Sequence, residues 1–253
     1  MRGATWLRRF GGVLLLASAT AAAQDYAREK RWETEVVGNL VVGEAVRLRV
    51  PSGREFLGLY TPAGNARTAV VIVHGIGVHP DHGIIGILRG ALADRGYTTL
   101  SVQMPVMASD ANVADYGMPV FAEAVERIAA AGRWLRERGP ADIALVAHSL
   151  GASMSEAYWK AEGDAVYSCG VFLGLSSELS GFPLLRVPVL DVYGEFDNPR
   201  ARGAAPARSR VLAAIAGSRQ VMIPGADHFY EGRDPQLTDA IVTFLAGRGG
   251  SSR

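Results

Sequence analysis

The chain has 253 residues, of which 49% are hydrophobic and 20% charged, and a formal net charge of +1. That length suits one well-buried domain, and the composition is that of a globular protein rather than a disordered chain or a multi-span membrane protein. A near-neutral chain lacks the concentrated basic surface that phosphate backbones demand, which argues against a nucleic-acid partner.

Arg2, Arg8 and Arg9 form a basic region ahead of an apolar stretch from position 11 to 17, and the small residues Ala21-Ala22-Ala23 close it. This is the pattern of a secretory signal, so residues 1–23 are expected to be removed, leaving a periplasmic or secreted protein that starts near Gln24. The apolar run falls far short of the roughly 20 residues a spanning helix needs, so no stable membrane insertion is expected. Residues 24–43 read as a polar, irregular lead-in with Trp32 as its anchor. The one cysteine, Cys169, rules out an intramolecular disulfide; it lies in an apolar stretch and reads as a small buried hydrophobe.

Strand-like alternation at 44–50 and 55–60 around Pro51-Ser52-Gly53 predicts a hairpin. Beyond Thr68, the β-branched run 68–73 has no polar face, as expected of a strand buried on both sides. Helix and strand then alternate: helix 84–95, strand 97–103, helix 118–138, strand 142–147, helix 150–161, strands 166–175 and 187–193, helix 206–216, strand 219–223 and helix 235–246. Such alternation implies right-handed crossovers and a mostly parallel sheet with helices on both faces. One domain is expected over 44–247, with a flexible tail at 248–253, and the connection from Leu175 to Val187 is too short for a cap domain.

Between the strand 142–147 and the helix after it stands Ala147-His148-Ser149-Leu150-Gly151, a G-x-S-x-G pattern with alanine in first place. Small residues around the serine allow a sharp strand-to-helix turn that lifts its hydroxyl above the sheet edge. The N–H of Leu150 then lies at a helix N-terminus, ready to stabilise an oxyanion. The alternative is a serine that merely caps the helix. A serine nucleophile needs a base, itself oriented by a third group. Of the five histidines, His228 follows the last strand and so falls at the same sheet edge as Ser149. Asp197 follows the strand 187–193 at that edge and is the preferred acid over Glu195, Asp191 and Glu178. His74-Gly75-Ile76-Gly77 follows the strand 68–73, which makes the Ile76 N–H the second oxyanion donor; His74 is expected to brace that loop. His79, Asp81 and His82 form too small a set for a metal site, so no metal is expected there and all three are assigned to shaping the pocket rim, His79 as a substrate-binding candidate. Met104 and Met107, after the strand 97–103, are candidates to line an apolar acyl site, with core packing as the alternative.

The order His74-Gly75, Ser149 in its elbow, Asp197 and then His228 resembles the α/β-hydrolase superfamily over roughly residues 44–246. The resemblance implies an eight-stranded, mostly parallel sheet and a Ser-Asp-His triad, and eight strands are predicted. The stretch from His74 through Gln103-Met104-Pro105 is similar, more narrowly, to a group of exported bacterial proteins of unknown function. Two departures are Ala147 in place of the first elbow glycine and the missing cap, which leaves substrate choice to loops such as 108–117 and 176–183. The function expected is hydrolysis of a small-molecule ester or thioester through an acyl-enzyme, with no cofactor required. The alternatives are a catalytically silent envelope binding or scaffold protein, and an acyltransferase or peptidase on the same triad.

Overall fold

The computed structural model describes residues 24–64, 66–163, 166–179 and 187–248. The expected signal segment 1–23 and the tail from 249 onward lie outside the described residues. Eight strands form one sheet: β1 (Glu44–Arg49), β2 (Glu55–Thr61), β3 (Thr68–Val73), β4 (Thr98–Val102), β5 (Asp142–His148), β6 (Cys169–Leu173), β7 (Val189–Gly194) and β8 (Arg219–Ile223). Their spatial order is β1-β2-β4-β3-β5-β6-β7-β8, antiparallel at β1–β2 and β2–β4 and parallel from β4 to β8. Among the described residues six α-helices accompany it: α1 (Tyr26–Gly38), α2 (Ile84–Asp94), α3 (Met118–Arg136), α4 (Leu150–Glu162), α5 (Pro199–Leu212) and α6 (Asp234–Arg248).

The central strands β3 and β5 are buried along nearly their whole length, because helices cover both faces. On one side Leu88 and Leu92 of α2 and Leu237 and Ile241 of α6 pack on Val70, Ile72, Ala144 and Val146. On the other, Ile128 and Leu135 of α3, Tyr158 of α4 and Leu212 of α5 pack on Val71, Val73 and Leu145. Each fully buried aliphatic side chain in these layers contributes about 1.5–3 kcal/mol.

Two expectations need correction. The lead-in 24–43 is not irregular: Asp25 caps α1 by accepting the Arg28 N–H at 2.8 Å, and the helix runs to Gly38. It buries only Glu29 and Val36, so no apolar stripe announces it. The helix expected from Pro206 starts instead at Pro199 behind Asn198, whose side chain accepts the Ala201 N–H, and Pro206 lies inside it. Asn followed by Pro is a start signal in its own right, and it prevails over the proline further on.

Candidate active site

The β5-to-α4 turn places Ser149 at φ 56° and ψ −121°, a strained conformation for a residue with a side chain. The surroundings hold it there. The Ser149 N–H donates to Leu173 O at 2.8 Å, and Ala152 N–H returns to Ser149 O at 3.0 Å. Gly151 is required because a Cβ there would collide with the carbonyl of His74, so α4 can start directly behind β3 only with glycine.

His228 and Asp197 arrive from the loops after β8 and β7. His228 Nε2 lies 2.9 Å from Ser149 Oγ, and His228 Nδ1 lies 2.5 Å from Asp197 Oδ1. A carboxylate can only accept, so Nδ1 carries the proton and Nε2 faces the serine hydroxyl as an acceptor. Asp197 is 2% exposed and also accepts from the N–H groups of Gly194, at 3.2 Å, and Asn198, at 2.7 Å. The competing carboxylates are occupied or turned outward: Asp191 pairs with buried Arg208 at 2.7 Å, Glu195 accepts from Gly225 N–H at 2.8 Å, and Glu178 is exposed.

Two further histidines frame the site in neutral form. His74 accepts the Met104 N–H at 2.8 Å through Nε2, so Nδ1 holds the proton and donates to Gly75 O at 2.8 Å; burial pushes its pKa down to about 3. The loop-bracing role expected of His74 thus has a geometry. His148 donates from Nε2 to the carbonyl of His228 at 2.8 Å, with its pKa pushed down to about 4 by burial and by neighbouring His228.

Ser149 and His228 open into a cleft of about 350 Å³ that also borders Ile76, within the size range of small-molecule sites. Its walls are mainly apolar, from Ile84, Ile85 and Ile87 of α2 and from Phe229 and Tyr230 beyond His228, with Glu231 and Asp234 at one side. Met104 and Met107 are not on this wall: each is 1% exposed and belongs to the core with Tyr116 and Val120, the segment after β4 being tied inward by the Met104 N–H to His74 at 2.8 Å and the Met107 N–H to Tyr116 Oη at 3.1 Å. His79 is displaced too, lying edge-on to Trp32 and to His82, while His82 itself lines the cleft. Asp81 is taken by Arg89 at 2.7 Å. None of the described residues lining the cleft comes from 108–117 or 176–179. Sequence reasoning missed the α2 isoleucines and Phe229; their signal was the Ile84-Ile85 and Phe229-Tyr230 pairs directly after loops at the site-bearing edge.

Residues 12–125 match the model of a family described as a protein of unknown function (DUF3530). No curated protein matches the chain. Among solved structures, a dienelactone hydrolase from Anabaena variabilis is similar at 18% identity and TM-score 0.65, over 80% of this chain and 96% of its own. An α/β serine hydrolase without lid from Xanthomonas campestris aligns at 17% identity and TM-score 0.64, covering 81% and 94%. Est1E from Butyrivibrio proteoclasticus aligns at 17% and 0.64, covering 80% and 98%, and a structure of it holds ferulic acid. By its sheet order and these likenesses, the chain has the α/β-hydrolase fold, and its residues 12–125 match that family of unknown function.

Proposed function

We propose that this protein is an exported serine hydrolase that cleaves an uncharged ester or thioester with an apolar acyl group. What carries the reading is the unbroken chain from Ser149 Oγ through His228 to Asp197, at 2.9 and 2.5 Å, opening on an apolar cleft. Ser149 Oγ attacks the carbonyl carbon while its proton passes to His228 Nε2, and Asp197 stabilises the imidazolium formed. The N–H groups of Ile76 and Leu150 face the developing oxyanion. Collapse expels the alcohol or thiol, which takes the proton from His228, and a water activated by the same imidazole releases the acid. No step calls for a metal or organic cofactor. Glu231 and Asp234 beside the cleft disfavour anionic substrates by like-charge repulsion. The hydrolase likenesses support the class of reaction, and the ferulic acid bound to Est1E is in keeping with an apolar acyl group.

A fluorophosphonate should label the folded protein at Ser149, because phosphonylation needs an activated hydroxyl and an oxyanion hole together. Ser149→Ala and His228→Ala should abolish labelling to a similar extent, and Asp197→Asn should slow it by about 10⁴-fold through loss of the correct tautomer. Intact mass of the labelled protein reads the outcome. A folded wild type that stays inert, or labels equally without His228, would favour a silent binding protein on the same fold.

Export is proposed on the N-terminal pattern, with the mature chain beginning near Gln24. Gln24 already donates to Glu29 at 2.9 Å, and Asp25 N–H donates to Val106 O at 2.7 Å, so the folded body reaches back to the expected cleavage point. Among the described residues no helix is long and apolar enough to cross a membrane. Sequencing the N-terminus of protein recovered from periplasm should read Gln24 first; an intact Met1 on cytoplasmic protein would sink the proposal.

A further inference from the structure

Helix α1 meets the rest of the fold in part at the loop after β3, whose Gly75, Ile76 and Val78 line the cleft, and at the loop after β4. The Arg28 guanidinium donates from Nη1 to Met107 O at 2.9 Å and from Nη2 to Gly77 O at 3.1 Å, so one planar fork bridges the loops after β4 and β3. Its Cζ lies 4.4 Å from the centroid of Trp32, which meets His79 edge-on at 5.8 Å. The same guanidinium stands 3.8 Å from where a Cβ on Gly77 would be, so it lies directly over that glycine.

Gly77 follows Ile76, and Gly75 precedes it. A Cβ on Gly75 would lie 3.1 Å from that of Ser149, so this end of the loop rests on the nucleophile. His74 ties the inner end through Gly75 O, and Arg28 ties the outer end through Gly77 O. A loop with glycines on both sides of Ile76 is soft by itself, whereas an oxyanion donor is effective only when it is held in place beforehand.

We propose that Arg28 is a positioning residue that braces the oxyanion loop from outside the sheet, making α1 part of the catalytic apparatus. The proposal rests on the reading of Ser149 as nucleophile and Ile76 N–H as oxyanion donor. A lysine cannot replace the arginine, since one ammonium lacks the rigid fork that spans two carbonyls.

The test compares wild type, Arg28→Met and Arg28→Lys in the full mature chain. Methionine keeps an apolar stem against Trp32 and loses both bonds; lysine keeps the charge and serves as the fallback should the methionine variant misfold. Arg28→Met should lower kcat about 10- to 100-fold, a cost expected of a loosened oxyanion donor, with KM on a short-chain ester changed less than about 2-fold and Arg28→Lys in between. Amide hydrogen exchange across residues 75–78 should quicken in both variants while exchange in β5 stays unchanged, a readout independent of catalysis. Unchanged loop exchange, or unchanged kcat, in folded Arg28→Met with an active wild type overturns the brace. Failure of wild type itself to turn over esters or react with fluorophosphonate is a different result, and overturns the hydrolase reading beneath it.

Discussion

Glycine at position 174 shows how a missing side chain can set the geometry of an imidazole. Gly174 has φ +62°, and a Cβ there would stand 2.8 Å from both Cε1 and Nδ1 of His228 and 3.3 Å from Asp197 Oδ2. The imidazole therefore packs on bare backbone at the end of β6, and its bond to Asp197 needs that space. Gly174→Ala should push the ring away from Asp197 and lower kcat by about 10²-fold, the scale of an ångström-sized misplacement. KM should change little, because Gly174 is not among the described residues lining the cleft. Steady-state kinetics beside a thermal melt separates this from unfolding; kcat near wild type would show that the ring tolerates the methyl group. The Ser149 turn was readable because the small residues around it are a local signature. The demand on Gly174 was not, since it arises between residues 54 positions apart that meet only when β6 and the loop after β8 share an edge.

At the scale of elements, α1 is held by charge rather than by an apolar face. Arg127 of α3, fully buried, pairs with Glu29 of α1 at 2.9 Å and with Glu123 at 2.6 Å, and donates to Gln103 O at 2.9 Å. Tyr26 OH donates to Glu123 at 2.7 Å, and Arg54 stacks on the Tyr26 ring at 3.5 Å. Replacing one partner of such a cluster leaves an uncompensated buried charge. Arg127→Met should cost about 3–5 kcal/mol, or a Tm lower by about 10 °C for a domain of this size. Circular dichroism melts should show that loss, and brief proteolysis should cut within α1 first; an unchanged Tm would mean the helix is held some other way. Helix α5 carries the same lesson. It buries Ala201, Ala204, Ala205, Arg208 and Leu212, and only alanines in its first two turns, so hydrophobic periodicity could not reveal where it starts. Buried Arg208 is matched by Asp191 of β7 at 2.7 Å and donates to the carbonyls of Leu175 and Ser177 at 2.7 and 3.3 Å, partners that meet it only once α5 has packed on the sheet.

Across the whole molecule, the buried neutral histidines make stability depend on pH. His74 and His148 keep pKa values of about 3 and about 4 when folded, against an ordinary value of 6.5 in the open chain. Above pH 6.5 neither state carries these protons and their contribution is complete. As pH falls through 6.5 towards 4, only the unfolded chain takes up protons, so stability drops, at most by about 1.4 kcal/mol per pH unit for each histidine. Urea unfolding at intervals from pH 7 to 4.5 should show that decline, and His148→Gln should make it shallower by up to one histidine's share. Parallel slopes for variant and wild type would contradict the assignment.

The alternation of strands and helices, and the meeting of Ser149, Asp197 and His228 at one edge, could be inferred from the chain alone. Loops that follow parallel strands all emerge at the same end of a sheet, so linear order implies proximity. Which side chains form the cleft wall was settled in three dimensions. Met104 and Met107 follow β4 at the correct edge yet turn into the core, while α2 and the segment after His228 supply the apolar surface. A polar helix such as α1 has no periodic face to disclose it, because what it recognises, Arg127 and the carbonyls of Gly77 and Met107, exists only once distant segments have packed.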